Sequence, residues 1–316
     1  VWLCELRLWL SVVIESNEMQ MSAAGPLPNL DCNVRVGDSL AGDGFVEPPA
    51  LVGPSAALVR LRDRYLRAAG PRKAPLRRAI ARDEARRALA AIDRQLLAIA
   101  AARRERLRER RSPDLFGEYD RSAGASASDG RLLRERAAAL RRERRRIADG
   151  GALPFSFPSH FAHVHARGGF QLVIGNPPWV RLHNIPPATR AALRLRFEVF
   201  RHAAWEPRQC GAPERAFGAQ VDLASLFVER SIALAAPARS AGDGGTIALL
   251  LPAKLWRSLS GGGVRRLLGA TAHLRRVEDW TDAPGPFDAA VYPSIVVATR
   301  SVSEAGELTL SVRRRS

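Results

Sequence analysis

The sequence predicts an α/β fold, and three stretches carry that prediction. Leu172, Val173 and Ile174 form a short apolar run with two β-branched residues, which is typical of a parallel strand covered on both faces. Residues 246–251 form a second buried apolar run, which follows a glycine-rich turn. Residues 219–236, between the two runs, have the apolar spacing of an amphipathic helix. This alternation of strand, helix and strand favours an open sheet with helices packed against it.

A proline-stiffened turn follows the first predicted strand. Gly175 lets the backbone approach a ligand closely. Pro177 and Pro178 fix their own φ angles and lack N–H donors, and Pro177 disfavours the helical region for Asn176. Open α/β sheets bind ligands at the carboxyl ends of their strands. The turn therefore displays an amide, two undonated carbonyls and the ring of Trp179, a set that suits the amino group of a planar base. The alternative is a purely structural turn.

The charge of the chain points to a polyanionic partner. Its 316 residues include 49 Lys and Arg against 32 Asp and Glu, for a formal net charge of +17. Lys73 and Lys254 are the only lysines, so nearly all of this charge is arginine, whose planar fork suits phosphate. Nucleic acid is the first candidate partner.

The cysteines and the apolar N-terminal segment indicate in which cellular compartment the protein is expected. Cys4, Cys32 and Cys210 match no zinc or disulfide spacing, which favours a reduced cytoplasm. Residues 2–15 have helical apolar spacing but are too short to span a bilayer and carry charges, so we predict a core-facing helix and no membrane partner.

Three histidines precede the first predicted strand. His160, His163 and His165 have no cysteine nearby and no carboxylate at ligand spacing, so no metal is predicted. They are expected at the surface or in loops.

Residues 55–150 predict a basic helical insertion, with 27 Arg and Lys against 13 Asp and Glu. Helices at roughly 76–111 and 131–147 are expected to pack as an antiparallel hairpin. One interpretation is a solvated insertion with charge pairs along each helix. The other is an arm that contacts the DNA backbone. The apolar stripes that would join the helices are Leu89, Ile92, Leu96 and Ile99, and Leu133, Ala137, Leu140 and Ile147.

Further elements are predicted on either side of this core. Residues 32–36 alternate like a strand, and residues 189–201 read as an arginine-bearing helix. Residues 276–280 and 292–299 are expected to form an antiparallel closing pair.

A strand followed by Asn176, Pro177, Pro178 and an aromatic residue resembles the catalytic motif of S-adenosylmethionine-dependent amino-methyltransferases. Residues 26–40 (PLPNLDCNVRVGDSL) and 244–256 (GGTIALLLPAKLW) resemble other segments of such enzymes. The chain is most similar to the N6-adenine DNA methyltransferases of type IIG restriction–modification and related phage-defence systems. Gln171 departs from the family, which typically has Asp at this place.

The resemblance implies S-adenosylmethionine as cofactor, double-stranded DNA as partner and methyl transfer to N6 of an adenine extruded from the duplex. The expected catalytic residues are Asn176, Pro177, Pro178 and Trp179. The expected cofactor-binding residues are Asp38, Ser39, Leu40, Asn176 and Asp222. The expected DNA-binding residues are Phe287, Tyr292, Lys254, Trp256 and Arg181. Asp38 has the alternative role of a helix cap, and Phe287 and Tyr292 that of ordinary loop aromatics.

The resemblance also implies an incomplete sheet. Enzymes of this kind have a Gly-rich loop after the first strand and an acidic residue after the second, and neither is found here. The expected fold is a partial Rossmann-like methyltransferase sheet without its first two strands, in an N-terminally truncated fragment. The expected domains are a partial cofactor-side part (1–54), the hairpin insertion (55–150) and the catalytic part (151–316). A linked nuclease and a target-recognition domain are expected outside this chain.

Three other functions stay open from the sequence. A cytosine-N4 methyltransferase shares the chemistry but usually has Ser or Asp in place of Asn176. A methyltransferase acting on RNA or on protein glutamine shares the Asn-Pro-Pro-aromatic motif. A non-catalytic, DNA-binding fragment would keep the basic helices without binding the cofactor.

Overall fold

The chain divides into two compact units. Unit 1 comprises residues 1–38 and 42–163, and unit 2 comprises residues 39–41 and 164–316. The computed structural model describes residues 1–15, 29–30, 32–40, 55–109, 123–181, 184–201, 221–240, 243–282, 292–301 and 309–314.

The described part of unit 1 is helical, and a 3-10 turn at Gly70–Arg72 joins its second and third helices. The helices are α1 (Trp2–Glu15), α2 (Ala56–Leu66), α3 (Lys73–Glu109), α4 (Ala123–Ala148) and α5 (Phe157–His160). A short helix, α6 (Ala162–His165), follows at the boundary between the units.

The predicted helical hairpin is confirmed. α3 and α4 pack along the apolar stripes read from the sequence, because Ile92, Ile99, Leu140 and Ile147 lie in one buried cluster. We call the contact between these two stripes the seam. Arg144 stands between Leu140 and Ile147 in the stripe of α4, and its Nε donates to Asp93 Oδ1 of α3 over 2.7 Å. The interruption is therefore an ion pair between the two helices.

A buried ion pair joins α2 to α3. Arg62 of α2 is 2% exposed and donates to Glu84 of α3, which is 3% exposed. Arg35 adds a second donor to the same Glu84 oxygen at 3.3 Å.

The prediction of a strand at 32–36 is wrong. The segment forms a turn and irregular backbone, and Cys32 is buried in the cluster of α2 and α3. Side-chain bonds hold this path: Asn29 Nδ2 donates to Tyr65 O at 2.7 Å, and Arg35 Nε donates to Cys32 O at 3.0 Å. These side-chain bonds, one to α2 and one within the segment, take the place of a strand ladder.

The helix predicted at 2–15 is confirmed, but its expected burial is wrong. Trp2, Leu3, Leu10 and Ile14 are all at least half exposed, whereas Glu5 is buried. Apolar spacing predicts which side chains share a helix face, but it does not supply the surface that covers them.

Two of the three histidines are also buried, contrary to expectation. His160 is 6% and His163 is 8% exposed. The ring of His160 stacks on Phe155 with centroids 5.5 Å apart, and its Nδ1 lies within hydrogen-bond distance of the Ser156 backbone. The imidazole of His160 is therefore held between the ring of Phe155 and the backbone at the start of α5.

Acidification is expected to destabilise unit 1 through His160. Burial lowers the pKa of His160 below its ordinary value of 6.5, against a smaller raising effect of Glu84. The unfolded chain then binds this proton at a higher pH than the folded chain does, so the free energy of unfolding falls as pH drops through 6.5. Urea denaturation above and below that pH should show this loss. His160→Phe should abolish it, whereas His165→Phe, at a half-exposed position, should retain it.

Unit 2 is a mixed sheet with helices packed against it. Its strands are β1 (Leu172–Gly175), β2 (Thr246–Pro252), β3 (Ala272–Asp282), β4 (Pro293–Arg300) and β5 (Thr309–Arg314). Its helices are α7 (Pro187–Arg196), α8 (Glu198–Arg201), α9 (Leu223–Leu234), α10 (Lys254–Arg257) and α11 (Gly262–Thr271).

The strand order is β1-β2-β4-β3-β5. β1 and β2 run parallel, with Gly175 opposite Leu249. β4 is antiparallel to both β2 and β3, so the predicted antiparallel closing pair is confirmed. Buried residues of β2, β4, α9 and α11 form one core with Leu40. The predicted α/β class is therefore confirmed.

The first strand is not covered on both faces as predicted. Leu172 is 52% and Ile174 is 73% exposed, whereas Val173 packs against the core. β2 is its one strand partner within the described residues. One face of β1 therefore packs on the core and the other is open.

Two local features shape the approach to the strands. At Gly244, just before β2, an added Cβ would lie 1.9 Å from Arg300 O, so only glycine allows this backbone approach. The helix predicted at 189–201 is broken at Phe197, whose backbone is extended and whose ring is buried.

Within the described residues, no helix is both long and apolar enough to cross a membrane. Those residues also contain no group of three or more His, Cys, Asp or Glu side chains that is suited to hold a metal ion.

Candidate functional site

Four segments of unit 2 meet at the carboxyl ends of the parallel neighbours β1 and β2. They are the turn after β1, the start of α9, the exit of β2 and the start of β4. Adjacent parallel strands end at the same edge of a sheet, and this edge is where open α/β sheets place ligands. We call residues 176–179 the Asn-Pro-Pro-Trp corner.

The corner is anchored at its second and fourth residues and open at its first. Asn176 is exposed and Pro177 is buried. Trp179 is half-buried and packs against the core of the sheet. Its indole Nε1 is buried and has no hydrogen-bond acceptor within the described part of the chain. The fold therefore fixes the backbone on both sides of an exposed amide.

The backbone after the corner is tied to the start of α9. Leu223 N donates to Val180 O over 2.8 Å, and Arg181 forms an antiparallel bridge with Asp222. Arg181 itself is exposed. These bonds hold the corner and the start of the helix as one piece.

Asp222 is a buried carboxylate with one oxygen in use. It is 2% exposed and stands at the N-cap position of α9, yet its side chain caps no helix N–H. Its Oδ2 instead lies 2.6 Å from Lys254 Nζ. Its Oδ1 has no hydrogen-bond donor within the described residues. One acceptor thus remains available beside the corner.

The exit of β2 is locked onto β4. Trp256 Nε1 donates to Ser294 Oγ over 2.8 Å, and Ser294 Oγ donates to Leu251 O over 3.0 Å. Ala253 N donates to Tyr292 O over 2.8 Å, which places Tyr292 beside this exit with its side chain 60% exposed. The indole N–H of Trp256 is therefore occupied, while the Tyr292 ring is open to solvent.

Two of the three residues at 38–40 belong to this unit. Arg230 Nε donates to Ser39 O over 3.1 Å, and Arg196 Nη1 donates to Leu40 O over 2.6 Å. Leu40 is 5% exposed and packs in the core of the sheet. Asp38 is exposed and belongs to unit 1. Phe287 lies outside the described residues.

The structure thus brings together Asn176, Trp179, Asp222, Lys254 and Tyr292 through the bonds above. It adds a residue that sequence reasoning missed. Ser225 is 1% exposed, lies one turn into α9 after Asp222, and its Oγ has no partner within the described residues. The signal was a small hydroxyl on an otherwise apolar helix face, three positions after an acidic N-cap residue.

The arrangement is suited to binding through positioned polar groups. The Asn176 amide is an exposed acceptor and donor, Asp222 Oδ1 and Ser225 Oγ are buried with free capacity, and Trp179 offers part of a ring. Buried polar groups without partners are rare in folded proteins and indicate a ligand or ordered water.

Replacing Lys254 by methionine is expected to lower the free energy of unfolding by about 1–3 kcal/mol. The change leaves the buried Asp222 carboxylate without its cation. The loss stays below that of a fully buried pair because Lys254 is 41% exposed and water can reach this place. Urea denaturation measures it, and Lys254→Arg is the matched control. If Lys254→Met were as stable as Lys254→Arg, the ion pair between Lys254 and Asp222 would not stabilise the start of α9.

Comparison with known proteins gives one family match. The family model described as Eco57I restriction-modification methylase matches residues 1–285. Over 151 residues the chain is 29% identical to the type II methyltransferase M.PaeR7I of Pseudomonas aeruginosa. That match covers 48% of this chain and 22% of the relative, so the chain spans about a fifth of the length of this curated protein.

Two solved structures show a weak overall likeness. A protein assigned to the class I S-adenosylmethionine-dependent methyltransferases, from Listeria monocytogenes, aligns with a TM-score of 0.32 and 14% identity over 56% of this chain and 45% of its own. A protein assigned as the modification subunit of a type I restriction enzyme, from Vibrio vulnificus, aligns with a TM-score of 0.25 and 12% identity over 58% of this chain and 51% of its own.

Proposed function

Because the chain belongs to the Eco57I restriction-modification methylase family, we propose that it transfers a methyl group from S-adenosylmethionine to N6 of adenine in double-stranded DNA. The observation that carries this proposal is the Asn-Pro-Pro-Trp corner. It presents an exposed amide on a fixed backbone at the carboxyl end of a parallel strand.

Asn176 and Pro177 bind the amino group of the base. The Asn176 side-chain oxygen and the Pro177 carbonyl accept its two N–H bonds, which draws the nitrogen lone pair toward the methyl donor. With the cofactor bound, N6 would form a bond to the methyl carbon while the bond from that carbon to the sulfonium sulfur breaks, and N6 would then release one proton to solvent. Positioning supplies most of the rate acceleration, since the reacting atoms are held in line.

The target adenine leaves the base stack, because its amino group is out of reach inside the duplex. Trp179 provides a ring for the extruded base, and stacking on an aromatic side chain is worth about 1–3 kcal/mol per base. Tyr292, exposed at the start of β4, is the second aromatic candidate within the described residues. Arg181, also exposed, is proposed to contact a phosphate.

The residues beside the corner fit a cationic, hydroxyl-bearing cofactor. S-adenosylmethionine supplies an electrophilic methyl group when it is bound. Asp222 Oδ1 is a free, buried acceptor for its ammonium or hydroxyl groups, and Ser225 Oγ adds a second polar contact. Leu40 is already packed in the core, so we assign the polar contacts to Asp222 and Ser225 and keep Ser39 as the candidate contact for the adenosine part. Asp38, which belongs to the other unit, stays a prediction from the sequence.

An acceptor assay tests the proposed substrate class. The protein is incubated with S-adenosylmethionine carrying a labelled methyl group and with duplex DNA, RNA or a protein extract. The proposal predicts label in duplex DNA alone. Label in RNA or protein would instead support the methyltransferases of those acceptors, and absence of label in all three would support a non-catalytic fragment.

A further inference from the structure

We propose that four arginines on one side of α4 contact the phosphate backbone of duplex DNA independently of sequence. The four residues, which we call the arginine flank, are Arg134, Arg141, Arg142 and Arg145. The inference deepens the proposed function, since it names a surface of unit 1 that holds the DNA substrate.

The spacing of the flank places its members on one side of the helix. Arg141, Arg142 and Arg145 lie seven, eight and eleven positions after Arg134, and residues at these spacings share a helix face. All four are exposed. The flank extends about 16 Å along the axis, at about 1.5 Å per residue.

The seam with α3 lies on an adjoining side of α4, about 120° around the helix axis from the middle of the flank at about 100° per residue. Ala137 and Leu140 are buried there, and Arg144 pairs with Asp93 across it. Because the seam fixes the rotation of α4, the flank lies beside the seam with its four side chains open to solvent. The long hairpin therefore presents the four guanidinium groups on a rigid support.

The carboxylates of α4 nearest the flank are already paired. Glu135 accepts from Arg131 Nε at 2.8 Å, and Glu143 accepts from Arg146 Nε at 2.9 Å. Both carboxylates are thus paired with arginines outside the flank. The four flank arginines form no ion pair within the described residues. Their charge is available to an external anion.

Duplex DNA matches the shape and charge of this surface. It carries about one negative charge per 1.7 Å of its axis, so about ten phosphates lie within the length of the flank. Guanidinium groups bind phosphate through paired N–H donors. The residue between the arginines on this side is Ala138, whereas a membrane-surface helix has large apolar side chains beside its charges.

The test compares two variants of equal net charge. The flank variant changes Arg134, Arg141, Arg142 and Arg145 to glutamine. The control variant changes four other exposed arginines to glutamine. They are scattered over both units and form no ion pair within the described residues. These arginines are Arg7, Arg72, Arg136 and Arg239. Affinity for a labelled duplex is measured by fluorescence anisotropy between about 50 and 200 mM salt, since each phosphate contact contributes about 0.9 to the slope of log K against log salt. Circular dichroism confirms that both variants are folded.

The inference predicts that the slope of log K against log salt is smaller in magnitude than that of wild type by about 3 to 4 in the flank variant. In the control variant the slope should be smaller by less than about one. Equal loss in both variants would show that only total charge matters and would overturn the inference, as would wild-type binding by the flank variant. It would also be overturned if the flank variant lost binding to vesicles containing phosphatidylserine but not to DNA. Methyl transfer is measured separately. If the wild-type protein bound duplex DNA through the flank yet transferred no methyl group, the proposed function would be overturned and the inference about the flank would stand.

Discussion

Replacing Asn176 by alanine is expected to lower methyl transfer to DNA by about 10²–10³-fold, the cost of removing one positioned polar group that acts in the transition state. The side chain is exposed at the end of β1, so its loss creates no cavity and leaves no buried group unpaired. Stability should therefore stay within about 0.5 kcal/mol of wild type. The effect falls on the reaction because one acceptor of the amino group is gone.

The matched control is Asn184→Ala. Asn184 is another exposed asparagine of unit 2, outside the corner. Asn184→Ala should leave methyl transfer unchanged. Both Asn176→Ala and Asn184→Ala should bind duplex DNA with the affinity of the wild-type protein. Equal activity of Asn176→Ala and wild type in single-turnover assays would remove the corner from the mechanism. Loss of DNA affinity in Asn176→Ala would instead indicate a role in binding.

Replacing Glu84 by alanine is expected to destabilise unit 1 by about 3–5 kcal/mol. The change leaves Arg62, 2% exposed, without its carboxylate, and a buried charge without a partner is costly. Burial already lowers the pKa of Arg62, with the Glu84 carboxylate acting in the opposite direction. Arg35 is 23% exposed and can regain water when Glu84 is lost, so the penalty falls mainly on Arg62.

Hydrogen exchange of α2 and α3, followed by mass spectrometry, measures this loss within unit 1. Exchange of both helices should accelerate in Glu84→Ala. Arg62→Leu combined with Glu84→Leu should restore much of the protection, because well-packed apolar residues can replace a buried ion pair. Glu105→Ala is the surface control, since its pair with Arg108 is exposed and 3.9 Å long. Exchange as slow in Glu84→Ala as in this control would show that the buried pair adds little.

Structure could be predicted best from the sequence where the spacing of apolar residues within a single helix or strand determines which side chains are buried. The seam of the hairpin was predicted from Ile92, Ile99, Leu140 and Ile147 because an amphipathic helix repeats its apolar face every three to four residues. β2 was predicted because its apolar run is long enough to be buried and lies between clear turn residues. These features depend on local chemistry, and Arg144 shows the limit, since its role needed Asp93 of another helix.

The predictions that failed depended on distant partners. The alternation at 32–36 suggested a strand, but Asn29 donates to the Tyr65 carbonyl of α2 and Arg35 to the Glu84 carboxylate of α3, and these bonds hold the segment against the helices. The apolar helix at 2–15 gave no sign of its own exposure. His160 was expected at the surface, but it is buried against the ring of Phe155 and beside Glu84 of α3, a partner 76 positions away in the sequence.

The candidate site shows the same division. The corner was identified from consecutive residues, whose chemistry is visible in the sequence. The pairing of Asp222 with Lys254 was not predicted, although both residues were named, because it joins positions 32 residues apart. Ser225 was missed because its hydroxyl, three positions after an acidic residue, is visible in the sequence, whereas the lack of a hydrogen-bond partner within the described residues is not.

The identity of the methylated nucleoside tests the central claim most directly. Genomic DNA from cells that produce the protein offers every short target sequence, and digestion followed by mass spectrometry identifies each modified nucleoside. Binding of an extruded adenine by the Asn-Pro-Pro-Trp corner predicts N6-methyladenine with the wild-type protein and its loss with Asn176→Ala. N4-methylcytosine as the new nucleoside, or N6-methyladenine at the same level with both proteins, would contradict it.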